Sequence, residues 1–322
     1  MQIKLKTVVL IAVGLTFCVV LLGAYTRLKD AGLGCPDWPG CYGRLIAPPV
    51  NANLSSLDVH KAWIEMIHRY AAGTLGILVF YICLKTMRSM WLLSIVLLST
   101  LMLQGLLGMW TVTLRLYPLV VMAHLLGGLT ILSLLWLLYL RLKYHTGMLP
   151  PATITTPLQI CSSIAIIVLS TQIMLGGWTS ANYAALVCAD FPTCQGQLWP
   201  TMDWLSAFNF YKVGIFDSPG LALENTARVT IQMAHRLGAL LTTILLGILS
   251  YQLFKTKNNT FKFYAKLLTS LLSVQLILGI SNVLARLPLT ISLAHNAVAA
   301  LLLLCLIAIR YTQGIVVTRN KV

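Results

Sequence analysis

The feature that most limits the fold of this chain is a series of long stretches without a charged residue. Residues 7–26, 89–114, 116–140 and 287–309 are four such stretches, of 20, 26, 25 and 23 residues. About 20 apolar residues, in a helix that rises roughly 1.5 Å per residue, cross a hydrocarbon layer of roughly 30 Å. Each stretch can therefore span a membrane. The first has no A-x-A-type cleavage site before Arg27, so we expect it to be retained as a helix.

Composition supports the membrane class, because 58% of the residues are apolar and only 10% are charged. The sequence therefore predicts an all-α integral membrane protein with eight transmembrane helices. The predicted helices are about 7–26, 62–84, 90–113, 117–140, 158–180, 226–254, 263–284 and 288–310.

The net charge of +15 follows the predicted topology rather than a nucleic-acid surface. With eight spans, the side that holds both termini carries 13 of the 23 Lys and Arg residues and none of the eight acidic residues. Cytoplasmic loops are enriched in basic residues, so both termini are predicted to be cytoplasmic. No basic stripe with interleaved aromatic residues lies on a soluble domain, which argues against nucleic acid as a partner.

The sequence repeats once, which predicts two related four-helix bundles, in residues 1–145 and 146–322. At an offset of 153, residues 23–26 match 176–179 and residues 35–43 match 188–196. After a 14-residue insertion in the second half, residues 64–69 match 231–236. At an offset of 171, Gln104, Gly108 and His124 match Gln275, Gly279 and His295. Because each half has an even number of helices, the halves should be related by an axis along the membrane normal.

Four histidines lie inside predicted helices at one depth, about 10 Å from the outer surface. They are His68, His124, His235 and His295, two in each half at matching positions. Polar groups at that depth are costly without partners, so intramembrane histidines are functional candidates, although an interhelical hydrogen bond is the simpler reading for any one of them. Two imidazoles on facing helices suit the axial positions of a heme iron, whereas zinc or copper would need further ligands. The sequence thus predicts two hemes, one per half.

Residues near the histidines fit this reading and also simpler ones. Several glycines could make room for a macrocycle or allow close helix packing: Gly73, Gly76, Gly127, Gly128 and Gly238. Arg69 and Arg236 follow a histidine directly, and they could pair with heme propionates or extend to the membrane interface.

One difference between the halves points to chemistry. Glu65 lies three residues before His68 and on the same helix face, whereas the matching residue before His235 is Gln232. A carboxylate there could move a proton, hold a water or stabilise a cation at the porphyrin edge. The second half would then carry an electron-relay or structural heme, and a purely structural Glu65 is the alternative.

Cysteine pairs with one spacing occur in two outer loops. Cys35 and Cys41, and likewise Cys188 and Cys194, are separated by five residues in a compartment where disulfides persist. They could brace a lid over each heme or exchange electrons with a thiol partner. The outer segment 200–226, which is rich in aromatic residues, is expected to hold an interfacial helix.

At these residues the sequence resembles the heme A synthases, and most closely the bacterial members with cysteine pairs in both halves. The resemblance covers essentially the whole chain and is carried by residues 35–41, 64–70, 104–108 and 123–124 and by their second-half partners 188–194, 232–236 and 294–295. One departure is Ala189 where the first half has Pro36.

The resemblance implies oxidation of the C8 methyl group of heme O to a formyl group through a hydroxymethyl intermediate. It implies that His68 and His124 bind the substrate iron, that His235 and His295 bind a heme b cofactor, and that Glu65 is catalytic. It also implies a bacterial inner-membrane protein with periplasmic cysteine loops, and heme O synthase and cytochrome oxidase assembly as partners. The alternatives are a diheme, quinol-linked electron-transfer cytochrome and, more remotely, a transporter.

Overall fold

The computed structural model describes residues 2–46, 55–144, 156–210 and 223–319, and the regular elements within these ranges are helices. In chain order they are α1 (Gln2–Leu28), α2 (Ser56–Thr86), α3 (Trp91–Thr113), α4 (Pro118–Tyr144), α5 (Thr156–Ala181), α6 (Trp204–Ala207), α7 (Asn225–Lys255), α8 (Asn259–Leu284) and α9 (Leu289–Arg319). Eight of them, all except α6, are long and apolar enough to cross a membrane. The eight predicted spans are therefore confirmed.

Local sequence explains where several helices begin. The hydroxyl of Ser55 accepts a hydrogen bond from the backbone N–H of Asp58, so α2 begins a full turn and a half before the predicted start at residue 62. Asn258 caps α8 in the same way by accepting from the N–H groups of Thr260 and Phe261. Both caps lie outside the apolar runs, in the polar segments that hydropathy excludes.

The long helices are arranged in two rings of four. In the first ring α1 contacts α2 and α4, and α3 contacts the same two helices. In the second ring α5 contacts α7 and α9, and α8 also contacts α7 and α9. The rings meet where α1 contacts α9 and where α4 contacts both α5 and α9.

The C-terminal ends of α1 and α5 are joined by polar contacts. Arg27 donates a hydrogen bond of 2.7 Å to the carbonyl oxygen of Ser180 and forms an ion pair of 3.1 Å with Asp30. The hydroxyl of Tyr183 donates to the same Asp30 carboxylate, and the Arg27 guanidinium lies 4.2 Å from the centre of the Tyr183 ring. These contacts hold the two helix rings together at the end of the bundle that carries the cysteine loops.

The predicted interfacial helix between residues 200 and 226 is described only in part. Asp203 caps the short helix α6, and the carbonyl oxygen of Ala207 accepts a hydrogen bond from the indole of Trp178. Residues 211–222 lie outside the described ranges, so the prediction for them stays open.

Candidate heme sites and cysteine loops

The two histidines of the first ring face each other. The ring centres of His68 on α2 and His124 on α4 are 6.4 Å apart. A glycine on a neighbouring helix lies against each imidazole: a Cβ at Gly23 would lie 3.1 Å from His68, and one at Gly108 would lie 3.3 Å from His124. Any larger residue at these two positions would push on the imidazole rings.

The second ring repeats this arrangement with additional hydrogen bonds. Cβ atoms at Gly176 and Gly279 would each lie 3.1 Å from a histidine ring, His235 and His295 respectively. The side-chain amide of Gln172 lies 3.0 Å from Nδ1 of His235, and that of Gln275 lies 3.2 Å from Nε2 of His295. In the described part of the chain, no glutamine side-chain amide makes such a contact with the imidazole of His68 or His124.

The packed core is interrupted at the depth of the histidines. Within the described residues, all eight long helices pass through a stretch without a buried residue there, and buried residues resume on both sides. The stretches are 20–25 of α1, 67–74 of α2, 98–106 of α3, 123–128 of α4, 170–177 of α5, 235–241 of α7, 269–281 of α8 and 293–299 of α9. Protein interiors are normally close-packed, so an interruption shared by every helix indicates space for a large group.

These features fit a heme in each ring. Two axial imidazoles would place their ring centres about 6 Å apart, from roughly 2 Å between metal and nitrogen and about 1 Å from nitrogen to ring centre on each side. The separation of 6.4 Å between His68 and His124 agrees with that value. Nδ1 of His124 and Nδ1 of His295 are buried without a hydrogen-bond partner. Among the described residues no three His, Cys, Asp or Glu side chains converge as a zinc or copper site would need.

Glu65 connects the first ring to the cysteine loop above it. Its side chain is buried, with 5% of its surface exposed. Oε2 accepts a hydrogen bond of 2.9 Å from the backbone N–H of Cys35, and Oε1 pairs with the guanidinium of Arg69 at 2.5 Å. Both oxygens are therefore held in place.

The guanidinium of Arg69 is the centre of this network. Besides Glu65, it donates to the backbone carbonyl oxygens of Asp37, Pro39 and Gly40 at 3.0, 3.2 and 2.6 Å. Arg69 therefore fixes the loop and the carboxylate relative to each other. Because the five guanidinium N–H groups form a rigid fork, one arginine can serve several acceptors at once.

The loop itself is closed by a disulfide and by a carboxylate. Cys35 and Cys41 are bonded, and the carboxylate of Asp37 accepts hydrogen bonds from the backbone N–H groups of Tyr42 and Gly43 at 2.6 and 2.8 Å. Gly43 has a φ of +72°, a left-handed conformation that glycine adopts at little cost. The loop is thus shaped by its own residues.

The second cysteine loop has the same contacts. Cys188 and Cys194 form a disulfide, and the carboxylate of Asp190 accepts from the backbone N–H groups of Gln195 and Gly196 at 2.8 and 2.9 Å. Hydrogen bonds from the Thr193 hydroxyl and from these amides lower the pKa of Asp190 to about 2. The ionised carboxylate therefore stabilises the loop above the ordinary aspartate pKa, and this contribution fades only as the pH falls to about 2. The exchange of Pro36 for Ala189 does not change these contacts.

What differs is the link from the second loop to its helix ring. Arg236 donates to the carbonyl oxygens of Cys188, Asp190 and Thr193 at 3.1, 2.8 and 2.7 Å, much as Arg69 does in the first half. Gln232, which replaces Glu65, is buried, and its Oε1 has no hydrogen-bond partner. The second loop is therefore held by the arginine without a carboxylate.

The sequence pattern predicts the histidines, the cysteines and Glu65 as site residues, but it does not predict all of their contacts. Cβ atoms at Gly127 and Gly238 would overlap glutamine side chains, while Gly73 and Gly76 have open space beside them. The glycines that touch the histidines are instead Gly23, Gly108, Gly176 and Gly279. All four belong to the repeated segments, so their matching positions were an available signal. Gln172 has no counterpart in the first half and was not found from the sequence.

Comparison with known proteins agrees with this geometry. Residues 6–307 match the family model described as COX15-CtaA, cytochrome oxidase assembly protein. The chain belongs to the COX15-CtaA family. One relative, named heme A synthase, from Shewanella oneidensis, is 44% identical over 308 residues, which cover 92% of both chains. Relatives of the same name from Lysinibacillus sphaericus and Neorickettsia sennetsu are 30% and 26% identical and cover 89% and 96% of this chain, and 88% and 99% of their own. The COX15-CtaA match includes both histidine pairs and both cysteine loops.

Proposed function

We propose that this chain is a heme A synthase, a membrane oxidoreductase that converts the C8 methyl group of heme O to a formyl group through a hydroxymethyl intermediate. The observation that carries the proposal is the combination of two similar histidine pairs with a buried carboxylate, Glu65, in only one half. The curated relatives that match most of the chain are named heme A synthases, which supports the same activity.

The two halves, 1–145 and 146–322, are proposed to be repeats related by an axis along the membrane normal. The backbone supports this, because non-glycine residues with a positive φ angle occur at matching positions in the two halves. The pairs are Asp30 with Tyr183, Tyr42 with Gln195, Arg115 with Arg286 and Leu116 with Leu287. A two-fold axis also brings equivalent residues together, and the contacts of Arg27 with Ser180 and of Asp30 with Tyr183 both join positions 153 apart.

The cysteine loops are proposed to lie on the outer, periplasmic side of a bacterial inner membrane, with both termini in the cytoplasm. The segments at the other end of the bundle carry most of the basic residues, which supports this orientation. A periplasmic position also suits the disulfides, because that compartment is oxidising.

The first half is proposed to bind heme O with His68 and His124 as the iron ligands, and the second half to hold heme b between His235 and His295. When bound, heme b supplies one-electron transfer to and from the first half. The guanidinium groups of Arg69 and Arg236 each lie between a helix ring and the cysteine loop of the same half. They are proposed to face the heme propionates. The Nε atom of Arg236 is buried without a partner, which supports this role.

Glu65 is proposed to be the catalytic residue. The Cys35 amide and Arg69 hold its two oxygens, so the carboxylate has a fixed position, one turn of α2 before His68. There it can accept a proton on an oxygen when the substrate methyl group loses one, or stabilise positive charge at that carbon. Gln232, an amide in the second half, offers neither.

The substrate and product define the proposed partners. Heme O is a hydrophobic product of heme O synthase, and heme A is destined for cytochrome oxidase. The family description as a cytochrome oxidase assembly protein supports a role next to that assembly.

A diheme electron-transfer cytochrome without porphyrin chemistry is the second candidate. This candidate is favoured because each helix ring contains the same number of intrahelical histidines, two. In that case Glu65 would carry protons only, and extracted heme would be entirely b-type.

The test is heme extraction from membranes of a host that makes heme O but not heme A, with and without this chain. We expect heme A or its hydroxymethyl precursor only when the chain is present. Heme b bound to the folded protein, with heme O unchanged in the presence of an electron partner, would favour the cytochrome.

A further inference from the structure

The two heme sites differ in how their histidines are held, and the difference centres on Gln172. The side-chain nitrogen of Gln172 lies 3.0 Å from Nδ1 of His235 and donates at 3.0 Å to the His235 carbonyl oxygen. At the offset of 153, the matching residue in the first half is Val19, which cannot make either contact. The His235 imidazole therefore has a polar anchor that the His68 imidazole lacks.

A second difference between the halves, at residue 238, makes room for the Gln172 side chain. A Cβ at Gly238 would overlap the Oε1 atom of Gln172, so the glutamine can reach His235 only because residue 238 is glycine. At the offset of 167, the matching first-half residue is Ala71. The second half therefore combines Gln172 with Gly238, whereas the first half combines Val19 with Ala71.

The other histidines, His124 and His295, also differ in whether a glutamine side chain contacts the imidazole. In the first half a Cβ at Gly127 would overlap Gln104, and the amide of this glutamine binds the backbone carbonyl of His124 at 2.6 Å, not the ring.

In the second half Val298 occupies the position that matches Gly127. Gln275 there lies 3.2 Å from Nε2 of the His295 ring, and Nδ1 of that ring has no partner. Both second-half imidazoles therefore lie within hydrogen-bond distance of a glutamine amide.

We propose that Gln172 is a positioning residue that, with Gly238 making room for it, makes the second site a permanent heme site. The inference rests on the proposed function, in which the second half keeps its heme while the first half must bind a substrate and release a product. A hydrogen bond to the nitrogen that does not bind the metal fixes the orientation of a ligating histidine and strengthens it as a ligand. When iron binds Nε2, Nδ1 carries the proton, so Gln172 has to accept that hydrogen bond through Oε1. The oxygen and nitrogen of a side-chain amide can exchange places by rotation about its last bond. The first site, in which no glutamine side-chain amide contacts either imidazole, holds its heme less firmly.

The experiment measures how fast heme b leaves the purified full-length protein. Heme loss is followed by its transfer to excess apomyoglobin, and the midpoint potential of the remaining heme is measured by redox titration. The variants are Gln172→Val and Gly238→Ala, which introduce the first-half residues singly, and the double variant. Thr171→Val is the matched control, because Thr171 is exposed on the same helix and its hydroxyl binds only that helix's own backbone.

We expect both single variants to lose heme about 10- to 100-fold faster, the usual effect of removing such a hydrogen bond. The midpoint potential should rise, because a weaker imidazole ligand stabilises the oxidised iron less. The double variant should be no worse than Gln172→Val alone, since Gly238 acts by making room for the glutamine. Thr171→Val should behave as the wild type does.

Wild-type rates and potentials in Gln172→Val would overturn the inference while leaving the proposed function intact. A double variant in which the two effects add would overturn the role given to Gly238. If replacing His235 or His295 by alanine left heme retention unchanged, the assignment of the second site would itself be wrong. That result is distinct from a failure at Gln172.

Discussion

The backbone N–H of Cys35 donates a hydrogen bond of 2.9 Å to Oε2 of Glu65. The disulfide loop that follows α1 is thereby connected directly to the buried carboxylate of the first helix ring. The matching glutamine in the second ring, Gln232, has no partner for its side-chain oxygen. The two loops have the same internal contacts, yet only the first controls the position of a carboxylate.

Replacing the first cysteine pair should therefore affect conversion more than replacing the second. For Cys35→Ser/Cys41→Ser we expect heme A formation to fall about 30-fold. The disulfide that closes a loop this short stabilises the ordered loop by about 2 kcal/mol, and about 1.4 kcal/mol corresponds to a factor of ten. The heme b content should stay at the wild-type level. The measurement is heme chromatography of membranes that contain equal amounts of each variant.

The matched control for that prediction is Cys188→Ser/Cys194→Ser, which removes the same bond from the other loop. Equal losses of heme A in the two double variants would show that the Cys35–Glu65 contact has no special role.

Arg69→Lys should lower conversion while the second heme is retained. Lysine keeps the positive charge, but it cannot bind Glu65 and three loop carbonyl oxygens together. We expect a loss of about 10- to 100-fold, in line with a misplacement of roughly 1 Å near the reacting atoms. Conversion is measured by heme chromatography and heme b by the absorbance of the purified protein.

Arg236→Lys provides the comparison, since Arg236 holds the second loop through carbonyl oxygens alone. It should leave Glu65 in place and act through the second site. Normal conversion by Arg69→Lys would contradict the positioning role of Arg69.

A methyl group at Gly279 should disturb the second heme. The Cβ of Gly279→Ala would lie 3.1 Å from the His295 ring, so the imidazole has to move by a few tenths of an ångström. We expect faster heme loss and a changed absorption spectrum of the bound heme. Gly247→Ala is the control, because no atom lies within 4 Å of a Cβ there and alanine stabilises a helix by about 0.5–1 kcal/mol relative to glycine. Spectra and heme content that are identical in the two variants would argue against His295 as a ligand.

The transmembrane part of the fold could be predicted because apolar length alone determines which segments cross a bilayer. Helix ends were less predictable. The predicted span 288–310 stops at a charged residue, whereas α9 continues to Arg319, since a helix does not end where the hydrocarbon layer does. The early start of α2 at Ser56 was indicated by the capping pattern of Ser55 and Asp58, which hydropathy does not register.

The candidate sites could be predicted as far as the repeat revealed them. The histidines and cysteine loops occur twice, so their matching positions identified them, and the exchange of Glu65 for Gln232 was visible as a difference within a match. The contact between Cys35 and Glu65 joins residues 30 apart through a backbone amide, which no side-chain pattern encodes. Gln172 was missed because it matches an ordinary Val19, and its meaning depends on the space beside Gly238.

The most direct test of the central claim, that oxidation takes place in the first half at Glu65, compares Glu65→Gln with Gln232→Glu in a host that makes heme O but not heme A. Glutamine already occupies the matching position in the second half, so Glu65→Gln should fold and keep its heme. We expect it to reduce heme A and its hydroxymethyl precursor about 10²- to 10⁴-fold, the usual contribution of a proton-transferring group. Gln232→Glu should still form heme A. Full conversion by Glu65→Gln, measured by chromatography of the extracted hemes at equal protein levels, would contradict the account.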